Sequence, residues 1–198
     1  MANLCDSIIS SDINFACDEL VVRGLEPDGL IINRTDIDLA ATVFDSNNKN
    51  VIKTLVLKTG KKAYEVIQMG NTPFTGTQTT LTVGTYKNSF TSNVALAVLA
   101  NTPDVCDKII DGLANGKFVV ILKNPNAGAN GDAKYQVYGY AKGLTASEMT
   151  NEKWSEDTDG GWLITLQEDS HPNSAMFFFN TDEATTSAAY ESLKTAAQ

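Results

Sequence analysis

The side chains with chemistry to offer are few. The one histidine, His171, stands before Pro172 between two segments of strand pattern, and a single imidazole cannot build a histidine-rich metal site. No Ser–His–Asp pattern surrounds it, so it is expected as a surface-loop residue. Asp36-Ile-Asp38 would set two carboxylates on one strand face, as acid–base or metal chemistry requires. The same spacing also marks the solvated side of a sheet. Asp45-x-Asn47 begins like a calcium loop, but Asn50 and Val56 occupy the positions that need glycine and glutamate. In Thr59-Gly-Lys-Lys62 the Walker pattern fails, because Leu55 replaces its first glycine and Lys62 its Ser or Thr. Gly128-Ala-Asn-Gly131 opens no helix and is no dinucleotide fingerprint. The carboxylates of 156–159 read as a solvated loop before a cation site. Trp154, Trp162 and Phe177–Phe179 offer aromatic surface for a sugar, yet Trp162 and the phenylalanines fall in strand-like runs that core or subunit packing explains. Cys5, Cys17 and Cys106 form no Cys-x-x-Cys pair. Cys106 reads as a small buried hydrophobe; Cys5 and Cys17 could pair across a short loop, though in a cytosolic chain they read as reduced thiols. No metal, cofactor or catalytic residue is implied, and no enzyme is expected.

Composition narrows the class. The chain has 198 residues, 42% hydrophobic and 20% charged, as an ordinary globular domain does. A chain of this length buries about 70% of its unfolded surface in one core system. Met-Ala-Asn-Leu-Cys-Asp6 has no basic segment followed by an apolar run, so no secretory signal is expected. Apolar runs are strand-sized, which argues against a membrane span. The net charge of −9 opposes sequence reading of nucleic acid, which needs a basic footprint. It does suit a wall past which DNA slides without sticking.

The elements that must position these residues are mostly strands. Residues 1–27 read as an arm, residues 28–180 as one β domain, and residues 181–198 as a C-terminal helix capped by Thr181. Gly29–Asn33, Leu39–Phe44, Val51–Lys58 and Ala63–Met69 have the pattern of a meander. Thr79–Thr85 and Phe90–Val98 form a long hairpin around Tyr86–Ser89. A bounded amphipathic helix follows over 102–115. Thr102 is its N-cap, Pro103 its first residue and Asn115-Gly116 its stop, with Val105, Cys106, Ile109, Ile110 and Leu113 on one face. Phe118–Leu122 is apolar at every position, as a strand buried on both faces would be. Asn124–Asp132 is a loop by composition, and 146–161 a polar excursion. Lys134–Lys142, Gly161–Gln167 and Ala175–Phe179 supply the last strands. The fold class is therefore mainly β (α+β): an antiparallel sandwich or barrel with one packed amphipathic helix and a C-terminal helix.

This order of meander, long hairpin, single helix, buried strand and terminal β-pair resembles the tail tube proteins of tailed bacteriophages and their relatives in contractile injection machines. The resemblance covers roughly 28–180. Within it, Lys134-Tyr-Gln-Val-Tyr-Gly-Tyr-Ala-Lys-Gly-Leu144 looks like a family strand entering a variable loop, and Gly160-Gly-Trp-Leu-Ile-Thr-Leu-Gln-Glu168 like the closing strand. It implies rings, usually hexameric, stacked into a tube with a polar or acidic lumen. Such a protein is a virion component, assembled in the host cytoplasm beside other virion proteins, with non-specific passage of DNA, no membrane and no cofactor. On that reading the threonine-rich face of the hairpin 75–100 lines the lumen, with Thr80, Thr82, Thr91 and Asn93 inward. Phe15, Phe90, Val94, Asn126 and Trp154 are the expected assembly contacts. The arm, the 124–132 loop and the 146–160 excursion would reach neighbouring rings. Three alternatives stand beside it: a head–tail connector or tail terminator ring, a carbohydrate-binding β-sandwich, and an enzyme built on Asp36, Asp38 or the 156–159 carboxylates.

Overall fold

The computed structural model describes residues 22–197 together with Ile9, Asp12 and Ile13. Phe15, Cys5 and Cys17 lie outside the described residues. The fold is mainly β, with two open sheets, a helix at 103–115 and a C-terminal helix, Glu183–Ser192. In chain order the strands are β1 (Asp28–Asn33), β2 (Val43–Phe44), β3 (Val51–Thr54), β4 (Tyr64–Ile67), β5 (Gln78–Thr82) and β6 (Ser89–Val98). After the middle helix come β7 (Phe118–Lys123), β8 (Tyr135–Tyr138), β9 (Thr145–Thr150), β10 (Trp162–His171) and β11 (Met176–Phe178).

One sheet runs β2-β3-β11-β8-β7-β1-β4 and the other β5-β6-β10-β9. All pairings are antiparallel except β3 with β11. β7 lies inside the larger sheet, and its alternation feeds two cores. Val119 and Ile121 join Leu30, Ile32, Tyr190 and Leu193 under the C-terminal helix. Phe118, Val120 and Leu122 join Val94, Leu96, Ile164 and Leu166 between the sheets, where Ile110 and Leu113 of the middle helix also pack. The layers are thus helix, seven-stranded sheet, four-stranded sheet, and β7 is apolar from Phe118 to Leu122 because that stretch faces both interiors.

Several local expectations are corrected. The first four strands form no meander: β1 pairs with β4 and β7, while β2 and β3 lie at the opposite edge. Residues 39–41 are a turn, because Asp38 Oδ1 accepts from the amides of Ala40 and Ala41 at 3.0 and 3.1 Å. The polar excursion contains a full strand, β9, paired along β10. Asp182, not Thr181, caps the C-terminal helix, accepting from the Thr185 amide at 2.8 Å. The middle helix carries a π turn over Cys106–Ile110. The wider turn keeps Ile110 buried but rotates Ile109 outward to 43% exposure and leaves Cys106 half-buried.

Candidate functional site

The most chemically suggestive cluster is one that local sequence reading missed. β10 pairs with β6 through Glu168–Ser92 and then, past a bulge, through His171–Phe90. Two residues of β10, Asp169 and Ser170, oppose Thr91 alone, and Ser170 adopts φ 55° to make the step. The bulge turns both Glu168 and His171 inward, although their spacing on a regular strand would put them on opposite faces. His171 is therefore buried, against its expectation as a loop residue. Its Nε2 is hydrogen-bonded to Ser92 Oγ at 2.9 Å, and Ser92 Oγ to Thr79 Oγ1 at 2.8 Å.

A bonded serine and histidine invite a nucleophile–base reading, but the surroundings direct them elsewhere. Glu168 Oε1 accepts from the backbone amides of Lys142 and Gly143, so this oxygen anchors the turn before β9. The adjoining cavity, lined by Thr79, Ser92, Tyr138, Glu168 and His171, measures about 20 Å³. That is room for one water molecule. Burial pushes the Tyr138 phenol up to about 12, so it stays neutral there. The cluster joins β5, β6 and β10 by satisfied polar contacts where the sheet meets β8.

The other carboxylates are engaged locally. Asp36 closes a 3₁₀ turn, accepting from Asn33 Nδ2 at 3.0 Å with Lys61 Nζ 3.4 Å away, and shares no strand face with Asp38. Asp45 accepts from the amides of Asn47 and Asn48 at 2.7 and 2.9 Å and pairs with Lys53 at 2.9 Å. The Lys53 contact, then the two amides, hold its carboxyl below the usual value. Among the described residues no group of three or more His, Cys, Asp or Glu side chains could hold a metal.

The outer face of the four-stranded sheet is mostly polar, with Leu163 as its one half-exposed large apolar residue among the described residues. Thr80 and Thr82 are exposed on it, with Thr91 and Asn93 half-buried beside them. Thr82 and Thr91 hydroxyls meet at 3.0 Å, and Thr91 Oγ1 donates to Asp169 Oδ1 at 3.3 Å. β5, β6, β9 and β10 contain no lysine or arginine at all. Of the expected assembly residues, Phe90 is half-buried beside the His171 ring at 6.2 Å, and Val94 is fully enclosed between the sheets. Asn126 accepts from the Gly128 amide at 3.0 Å, within the 124–132 loop. Trp154 is 93% exposed. The structure brings the four threonine-face residues together and scatters the assembly residues. Tyr86 sits at the hairpin tip and Trp154 at the opposite end of the same sheet, so they share no platform.

No family model, curated protein or solved structure matches the chain. The class defined here is an open two-sheet, mainly β protein with one buried polar brace and one cation-free sheet face. No helix among the described residues is long and apolar enough to cross a membrane.

Proposed function

We propose that this chain is a virion structural protein that self-assembles into stacked rings, forming the tail tube through which DNA passes. The observation that carries the reading is the four-stranded sheet. Its outer face is rich in threonine, serine, asparagine and glutamine, and its strands lack any cation that would bind a passing phosphate backbone. Among the described residues, both border strands, β5 and β9, have an unpaired edge. Edges of this kind pair with a neighbouring chain unless covered, so sheets of successive subunits would join into one continuous wall. The interior of that wall is then hydroxyl and amide surface with Asp169 and Glu148 as its charges.

Negative-stain electron microscopy of the purified full chain over a concentration series tests this. Stacked rings or tubes are expected. Isolated rings at every concentration favour a connector or terminator instead, and absence of any ring overturns the reading.

A further inference from the structure

Two clusters of opposite charge stand at opposite ends of the middle helix and β9. Arg34, Lys58, Lys61, Lys62, Lys117 and Lys142 gather around the Arg34–Asp36 turn, with Asp36 and Asp38 beside them and Glu65 and Glu191 at Lys194 on the adjoining groove. The Arg34 amide donates to Lys117 O at 2.8 Å, Arg34 Nη2 donates to Ala141 O at 2.7 Å, and Lys58 Nζ donates to Thr35 O at 2.7 Å. At the other end stand Asp104, Asp107, Glu152, Glu156, Asp157 and Asp159, all exposed, with Lys108 and Lys153 among them. Trp162 Nε1 donates to Asn101 Oδ1 at 3.2 Å, tying the start of the middle helix to the 151–161 loop. The middle helix and β9 each run from one pole to the other, a span of about 20 Å.

Each pole also carries a shape. Trp154 projects from the acidic loop, whose base is closed where Asn151 Nδ2 donates to the carbonyls of Gly160 and Gly161 at 2.9 and 2.6 Å. Beside the basic turn lies an open groove of about 570 Å³ lined by Asn33, Asp36, Lys61, Lys62, Tyr64 and Lys194. Lys62 Nζ sits 5.6 Å from the Tyr64 ring centroid. Lys61 is near Asp36, and Lys194 is paired with Glu65 and Glu191. Thus an indole entering the groove meets the exposed Tyr64 ring and a lysine rim, and the carboxylates flanking it meet the basic pole.

We infer that the acidic loop of one copy, with Trp154 as its anchor, docks head to tail into the Tyr64 groove of a second copy. The occupant is this chain itself because it carries both halves of the complementarity. A heterologous contact of this kind closes into rings or runs on as a filament. The inference rests on the self-assembly reading above and adds this contact to the edge pairing of β5 and β9.

Charge exchange tests it. Full-length K61E/K62E and E156K/D157K are compared with the parent by sedimentation velocity, at low salt and at high salt, after thermal melts establish that each is folded. Each variant alone should lose association at least tenfold, because like poles then face each other, and an equimolar mixture should restore it. W154A should weaken association by a similar factor, and salt should weaken the parent. The inference is overturned if either charge variant associates like the parent, if the mixture fails to recover, or if the parent does not self-associate. Charge variants that still build normal tubes sink this contact and leave the tube standing. A parent whose pole-dependent assembly gives only open filaments, with no rings, sinks the tube and leaves the contact.

Discussion

Ser92 Oγ and His171 Nε2 lie 2.9 Å apart inside the protein, joining β6 to β10 at the point where a bulge breaks their register. Thr79 extends the bond to β5, so one chain of three side chains ties together most of the smaller sheet. Removing the hydroxyl in Ser92→Ala leaves a buried imidazole nitrogen without its partner. The expected cost is about 1–3 kcal/mol in urea unfolding. An unchanged midpoint would mean the bond contributes nothing to the fold.

Gly139 marks a second tight place. Its φ is +83°, and a Cβ there would lie 2.5 Å from Phe118 O and 2.9 Å from Leu144 N. Phe118 and Leu144 exchange amide–carbonyl bonds of 2.9 and 2.8 Å, the bridge that starts β7. Gly139→Ala should cost about 2–4 kcal/mol through backbone strain and a broken bridge. Gly112→Ala, on the exposed face of the middle helix with nothing within 4 Å of the new methyl, should stabilise by about 0.5–1 kcal/mol. Urea titration of the pair separates a conformational requirement from a general intolerance of change.

The alkaline limb of stability should be steep. Burial raises the Tyr138 phenol from 10.0 to about 12, and raises Tyr190 further in the same direction. Above pH 10 the unfolded chain releases these protons while the folded chain keeps them. The folded state is then penalised by about 1.4 kcal/mol per pH unit for each phenol until its folded pKa is passed. Stability should therefore fall from pH 10 upward, and Tyr138→Phe should flatten the slope. Equal slopes in parent and variant would exclude Tyr138 as a contributor.

At the acid end, Asp45 and Asp182 act in the opposite sense. Hydrogen bonds from Lys53 and the Asn47 and Asn48 amides lower the first, and bonds from Thr185 lower the second. Their support is present above the ordinary value of 3.8 and is lost as pH falls through the lowered values. Asp182→Asn should keep the helix cap and reduce the acid sensitivity, measured as thermal midpoint against pH from 5 to 2.

If the threonine face lines a lumen, Thr91→Lys should leave assembly intact and make the particles retain double-stranded DNA in a salt-dependent way. Assembled variant particles that retain no more DNA than the parent would place that face elsewhere.

Much of this architecture is legible from residues close in sequence. The unbroken apolar run of β7 announces burial on both faces, and the β5–β6 hairpin is written in its alternation and turn. Thr102 and Pro103 mark the start of the middle helix, because capping and proline geometry are local requirements. The four-residue threonine face is also local, since period-two alternation on a hairpin sets which side chains share a side. What the tertiary structure decided depends on partners distant in the chain. Glu168 and His171 face one interior only because β10 bulges against β6, and Ser92 is 79 residues from the histidine it holds. β9 looks like a polar loop because as an edge strand it needs few apolar residues and takes its order from β10. Ile109 loses its buried place to a π turn that fits the helix to the sheet below. The two charged poles follow the same logic: each sign is visible in the sequence, but only the packing of the helix and β9 across one span separates them.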